Sequence, residues 1–237
     1  PGFVLDKEIF IPIILVGIPA FIVEAEDGIL MAVLNNLLKG SDMGIIVLGV
    51  ISKVYMFLFV TLCGIASAMQ PIAAYNIGSK NYKRLKSIMK KTNLYAFVTS
   101  TIIWAISMIF AHQFIQIFVK DAEIIKESAK AFRIMISVFP VISVYYVSIY
   151  YFQARGNAKT SVLLSVSRQL LIMIPISVIL VKGFNLGQMG VWISYPISDI
   201  LASLGSYMLI KNEGMELNIA IRKQNEIEKT KGQYILN

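Results

Sequence analysis

IIVLGVISKVYMFLFVTLCGIASAMQPIAAYNI, residues 45–77, decides the fold, because Lys53 is its only charged side chain. A hydrocarbon core of about 30 Å is crossed by about 20 apolar residues at 1.5 Å each. The stretch therefore spans a bilayer with length to spare, taken up by tilt or by projection past the surface. Five further stretches read the same way: residues 9–38, 94–117, 132–152, 162–181 and 189–210. Their connections are short. The expected fold is all-α, a polytopic membrane protein with a six-transmembrane-helix bundle over residues 1–212. A polar, basic, partly disordered cytoplasmic tail, residues 213–237, is expected to follow.

Composition agrees. Of the 237 residues, 57% are hydrophobic and 15% charged, with a mean hydropathy of +0.69. A soluble domain of this size cannot bury so much apolar surface, so the lipid bilayer is its solvent. The net charge of +8 raises nucleic acid as a partner, but the basic residues gather between apolar runs, which is the pattern of membrane orientation. Lys80, Lys83, Arg84, Lys86, Lys90 and Lys91 follow the second span, Arg155 and Lys159 follow the fourth, and Lys211, Arg222, Lys223, Lys229 and Lys231 lie in the tail. With alternating spans these fall on one side, so both chain ends are expected in the cytoplasm and the protein in the cell (plasma or inner) membrane. Residues 121–130 read as the solvated, amphipathic start of the fourth helix. Cys63 stands alone, which excludes a disulfide within the chain. Pro1 is followed by no basic n-region with a cleavage site, so no signal peptide is expected and the chain reads as part of something longer.

Ionisable groups at bilayer depth are expensive and mark candidate function. The first span holds Glu24, Glu26 and Asp27. At about 100° per residue, Glu24, Asp27, Met31 and Asn35 form one stripe and Glu26 points elsewhere. Two carboxylates and an amide on one face suit a water-filled cavity for a cation or proton. The alternative is an ion pair: Lys53 lies at a similar depth and needs a partner, with Glu26 and Asp27 the nearest candidates. Asp199 lies near the middle of the last span, where it either carries an ion or pairs with a basic group, and Arg168 lies in the fifth. Tyr146 and Gln153 share a face of the fourth span that suits an apolar cation held by stacking and cation–π attraction; Tyr150 and Tyr151 read as interface anchors. Pro19, Pro71, Pro140, Pro175 and Pro196 mark bends that free backbone carbonyls. No Gly-rich motif ending in Gly-Lys-Ser/Thr, no His/Cys metal spacing and no Ser/His/Asp set is visible, so neither an enzyme nor a cofactor is expected.

Residues 64–84, GIASAMQPIAAYNIGSKNYKR, resemble the signature of the multidrug and toxic compound extrusion (MATE) family. Pro19-Ala-Phe-Ile-Val-Glu24 with Asn35, then Gln153 through Arg168, then Gly190-Val-Trp-Ile-Ser-Tyr-Pro-Ile-Ser-Asp199 look like the same family's C-terminal lobe, in family order. The resemblance implies a twelve-helix antiporter of two six-helix lobes, exporting small organic cations against Na⁺ or H⁺ by alternating access, with this chain as the second lobe and the N-terminal lobe as its partner. It carries a coupling or substrate role to Glu24. Gln70, Pro71, Tyr75, Asn76 and Gly78 match the signature, with a role in helix geometry, and Gln153, Arg168 and Asp199 match polar positions of later helices. Glu26 and Asp27 are more acidic than the family pattern, which leaves open a site for more than one cation. The candidate coupling and substrate residues are thus Glu24, Asp27, Asn35 and Asp199, with Met31, Tyr146 and Gln153 in the cavity and Glu26, Lys53 and Arg168 as ion-pair candidates. Two other readings stand beside this one: a lipid-linked precursor flippase of the same superfamily, and a non-transporting membrane remnant of a truncated gene.

Overall fold

The structure is a computed structural model that describes residues 25–235, with side chains as far as Glu226. Most of the first expected span, with Pro19 and Glu24, lies outside the described residues.

The chain runs through α1 (25–37), α2 (Asp42–Gly78), α3 (Tyr82–Ile109), a short α4 (Ala111–Gln116) and α5 (Ala122–Met135). A 3₁₀ turn, Phe139–Ile142, leads into α6 (Ser143–Ala154). Next come α7 (Ala158–Val166), a π-helical turn (Ser167–Met173), α8 (Ile174–Val178), a second π turn (Ile179–Gly183) and α9 (Gln188–Ile235). Among the described residues four spans are long and apolar enough to cross a membrane: Asp42–Gly78, Tyr82–Ile109, Ala158–Gly183 and Gln188–Glu226. The pair α5–α6 makes a fifth, bent by 50°. Pro140 sits in that break, where its missing N–H is not required by a regular helix.

Helix α2 shows why the sequence folds this way. Val47, Ile51, Val54, Leu58, Leu62, Ala66, Met69 and Ala73 are buried at steps of three and four, one stripe along the helix. Phe57 and Val60 on its other side stay exposed, as suits a surface facing lipid. Its start is capped by Ser41 Oγ, which accepts from Gly44 N at 3.1 Å. Asn81, Asp121 and Asn157 cap α3, α5 and α7 in the same way. Helix contacts are lined by serine: Ser143, Ser148, Ser194 and Ser198 are buried, and each hydroxyl donates to a carbonyl three or four residues back, at 2.6–2.8 Å. Small side chains let backbones approach, and the hydroxyl needs no partner from another helix.

Two expectations change. The basic stretch after the second span is not a loop: Lys83 to Lys91 lie in the first turns of α3, because Asn81 starts the helix directly after a tight turn at Ser79–Asn81, where Lys80 takes a φ of 55°. The polar segment beyond Lys211 is likewise helical and continues α9. Its start is docked: Arg155 forms ion pairs with Glu213 and Glu216, Tyr151 Oη donates to Glu213 at 3.2 Å, and Lys86 Nζ donates to Asn218 at 2.7 Å. The α2–α3 turn, the α6–α7 turn and the extension of α9 therefore share one end of the bundle. The solvated amphipathic start expected at residues 121–130 is present as α5, capped by Asp121.

The start of α9 passes close to backbone at Gly190, where a Cβ would sit 3.0 Å from the backbone of Leu180 and Val181. Gly190→Leu is expected to destabilise the bundle by about 1–3 kcal/mol, through overpacking against backbone that cannot yield. A lowered unfolding temperature in detergent checks this; an unchanged one contradicts the close approach.

Candidate functional site

A cavity of about 490 Å³ within the bundle gathers several of its polar groups. Helix α1 brings Glu26, Asp27 and Met31 to it; α2 brings Tyr55, Phe59 and Cys63; α6 brings Tyr145, Tyr146, Tyr150 and Gln153. The α7 span adds Ser165, Arg168 and Gln169, and α9 adds Tyr195. Ser165, Arg168 and Gln169 stand at positions i, i+3 and i+4, so one face of a single span carries all three. The π turn begins at Ser167 and widens the helix at this point.

Two charge systems meet here and differ. Arg168 is buried, and its Nε and Nη2 reach Asp199 Oδ1 at 2.9 and 2.8 Å. Its Nη2 also donates to Tyr55 Oη at 3.2 Å and its Nη1 to Tyr146 Oη at 3.4 Å, while its guanidinium lies 5.8 Å from the Tyr145 ring centroid. Tyr145 Oη donates in turn to the carbonyls of Leu164 and Ser165, at 3.2 and 3.3 Å. Asp199 is thus spent on Arg168, the pairing branch of its expected roles. Around the pair the rings pack edge to face, Phe59 on Tyr146 at 5.4 Å and Tyr55 on Tyr195 at 6.4 Å.

The second system has no cation in it. Glu26 is buried, and its Oε1 accepts from Ser165 Oγ at 2.6 Å and from Gln169 Nε2 at 3.1 Å. The same Gln169 Nε2 donates to Asp27 Oδ1 at 2.7 Å. One amide therefore bridges two carboxylates. The expected pairing of Lys53 with these acids is not formed: Lys53 is exposed on the side of α2 away from the cavity face at Tyr55 and Phe59, and neither acid forms an ion pair among the described residues. Nor do Glu26 and Asp27 diverge as their angular separation suggested. The two positions straddle the face that meets α7, and both side chains, Glu26 buried and Asp27 exposed, reach the same glutamine.

Of the other expected site residues, Met31, Tyr146 and Gln153 line the cavity, and so does Tyr150, read earlier as an interface anchor. Asn35 is exposed and outside the lining. Of the signature, Pro71, Tyr75 and Gly78 are exposed and none lies in the cavity. Asn76 is buried, with its Nδ2 donating to Ile72 O at 2.7 Å, and its carbonyl receives Asn81 N at 2.9 Å, so it closes the end of α2. Gln70 is half-buried on the same helix. Ser165, Gln169 and Tyr55 escaped sequence reasoning; the polar triplet at helical spacing within an apolar span was the available signal.

A family model described as MatE matches residues 20–179. The chain belongs to that family. Among curated relatives of this MatE chain, the multidrug export protein MepA of Staphylococcus saprophyticus is 25% identical over 209 residues, covering 86% of this chain and 45% of that protein. The probable multidrug resistance protein YoeA of Bacillus subtilis is 20% identical over 213 residues, covering 87% and 45%. Solved structures share the fold. The inward-facing conformation of a multidrug resistance MATE family transporter superposes with a TM-score of 0.83 at 22% identity, over 93% of this chain and 50% of the other. Its outward-facing counterpart gives 0.80 at 23%, over 93% and 49%. The MatE chain thus spans about half the length of the relatives it matches.

Removing one partner from the buried pair leaves a charge in a medium that cannot solvate it. Asp199→Asn is expected to cost about 3–5 kcal/mol. The double change Arg168→Met with Asp199→Leu should restore much of that stability. Thermal unfolding of the full-length protein measures both; equal losses in the single and double variants would contradict the pairing.

Proposed function

We propose that this MatE chain is one half of a multidrug efflux transporter, which exchanges small organic cations for Na⁺ or H⁺ by alternating access of a central cavity. The observation that carries the reading is the chemistry of the cavity: an aromatic and methionine lining with two carboxylates, Glu26 and Asp27, that form no ion pair among the described residues. Tyr146, Tyr150, Phe59 and Met31 offer apolar, polarisable surface to a flat ring system. Glu26 and Asp27 supply the charge that prefers a cation, and their pull is strong where lipid and protein exclude water. Substrate cation and coupling cation both seek the same two carboxylates. When one is bound the other is disfavoured, and that competition links the two fluxes.

The gathering of basic residues at one end of the bundle supports a cell-membrane protein with that end in the cytoplasm. Arg168, the cation among the lining residues, is held by Asp199, which speaks against the phosphate-holding cavity that a lipid-linked precursor flippase requires.

The reading is tested by reconstituting the full-length transporter in liposomes loaded with a fluorescent aromatic cation such as ethidium. An imposed Na⁺ or pH gradient should drive its movement. Tyr146→Ala, which removes a lining ring, should slow that movement roughly tenfold, the scale of about 1.4 kcal/mol. Absence of gradient-driven movement by the wild-type protein would overturn the assignment.

A further inference from the structure

A second cavity, of about 390 Å³, lies between α2, α3 and α4. Leu58 of α2, Ile106 of α3 and Phe114 of α4 stand in its walls, and the rings of Phe57 and Phe118, 6.4 Å apart, tie the segment after α4 to α2. Phe57, Ile106 and Ile117 are exposed as well as lining it, so the space opens on the apolar surface that faces lipid. Packed chains leave few voids, and the material at this mouth is hydrocarbon.

Two lining side chains are polar, and they differ. Thr61 Oγ1 is satisfied, donating to Phe57 O at 2.9 Å. Ser107 is 2% exposed and its hydroxyl makes no hydrogen bond among the described residues, unlike Ser143, Ser148, Ser194 and Ser198, which turn theirs back on the helix. An O–H unpaired in apolar surroundings is costly, so it calls for an acceptor carried by whatever fills the space. Exposed apolar side chains on α3 run from Leu94 to Ile109, about 23 Å at 1.5 Å per residue, which puts Ser107 near one edge of the hydrocarbon. From there the cavity runs inward to Ile103 and Thr61. Its occupant is therefore long and apolar, with one acceptor at the end that meets the membrane–water boundary.

We infer that this groove binds one acyl chain of a phospholipid, from the leaflet opposite the basic end of the bundle, with Ser107 Oγ donating to the ester carbonyl. Lys120, two residues beyond Phe118, is exposed and outside any ion pair among the described residues, which suits the phosphate of the same lipid. Asp121 beside it is committed to the N–H groups of Glu123 and Ile124. The chain fills the gap between α4 and the α2–α3 pair and so holds the short helix in place. The groove shares no lining residue with the polar cavity, and the inference stands apart from the transport reading.

The test reconstitutes the full-length protein in vesicles of ester-linked phosphatidylethanolamine and phosphatidylglycerol, with a trace of phosphatidylglycerol bearing a photoactivatable diazirine on one acyl chain. After irradiation, mass spectrometry locates the label. It should concentrate on Phe57, Ile106 and Phe114 over Val98 and Ile102, which are on α3 but outside the groove. Ile106→Trp, which fills the space, should cut labelling at Phe57 and Phe114 roughly tenfold and leave Val98 unchanged. An ether-linked tracer lacks the carbonyl, so in the wild type it should label the groove about fivefold less than the ester tracer, the scale of one net hydrogen bond, and equally well in Ser107→Ala. Uniform labelling along α3 of the wild type means surrounding lipid only and overturns the inference, whatever the variants do. Unlabelled groove residues, which indicate cover by protein, overturn it too, as do equal labelling by the two tracers in the wild type and labelling that Ile106→Trp leaves intact.

Discussion

A guanidinium inside a lipid-surrounded helix bundle persists only if an anion meets it there, and Arg168 on Asp199 is that contact. Desolvating either charge alone costs several kcal/mol, so the two groups hold the α7 span against α9 as a unit. The remaining donors of Arg168 orient Tyr55 of α2 and Tyr146 of α6, and its face lies near Tyr145. One charge thus fixes the walls of the cavity from four helices. The pairing also decides which acids are left over. With Asp199 neutralised, the negative character of the cavity comes from Glu26 and Asp27, held together by Gln169 rather than by a cation.

This division of labour explains why a bundle with so few deep charges supports binding. A cavity with a single acid and a single base would be neutral and indifferent to charge. Here the base and one acid build the walls, and two acids, Glu26 buried and Asp27 exposed, line the cavity. The π turn matters for the same reason: it starts at Ser167, between Ser165 and the Arg168–Gln169 pair, so both charge systems are organised from one short, widened segment. Widened turns are a recurrent feature of functional helices because they let neighbouring side chains serve different partners.

Much of the fold was legible in the sequence, since hydrophobic length is a direct consequence of bilayer thickness; residues 45–77 and 189–210 fall within α2 and α9. The ends of helices were less so. Lys83 to Lys91 and the stretch beyond Lys211 are polar enough to read as loop or tail, yet an Asn81 cap and contacts such as Lys86 with Asn218 keep them helical. For the site, the depth of Glu26, Asp27, Arg168 and Asp199 could be counted along the chain, whereas their partners could not. Lys53 matches the acids in depth and points to another side, and Gln169, uncharged in an apolar run, gives no sign that it bridges two carboxylates. Helical wheels place a residue within one helix. Which neighbour it meets depends on packing between helices, and a single sequence does not carry that.

The central claim is that the cavity bears an uncancelled negative charge located at Glu26 and Asp27. Calorimetric titration of the full-length protein with an aromatic quaternary ammonium ion and with its uncharged carbon isostere tests it most directly. The account predicts that the cation binds the wild-type protein more tightly than the isostere, and that this preference disappears in Glu26→Gln/Asp27→Asn. Equal affinity for the two ligands in wild-type protein, or a preference that survives removal of both carboxylates, would contradict it.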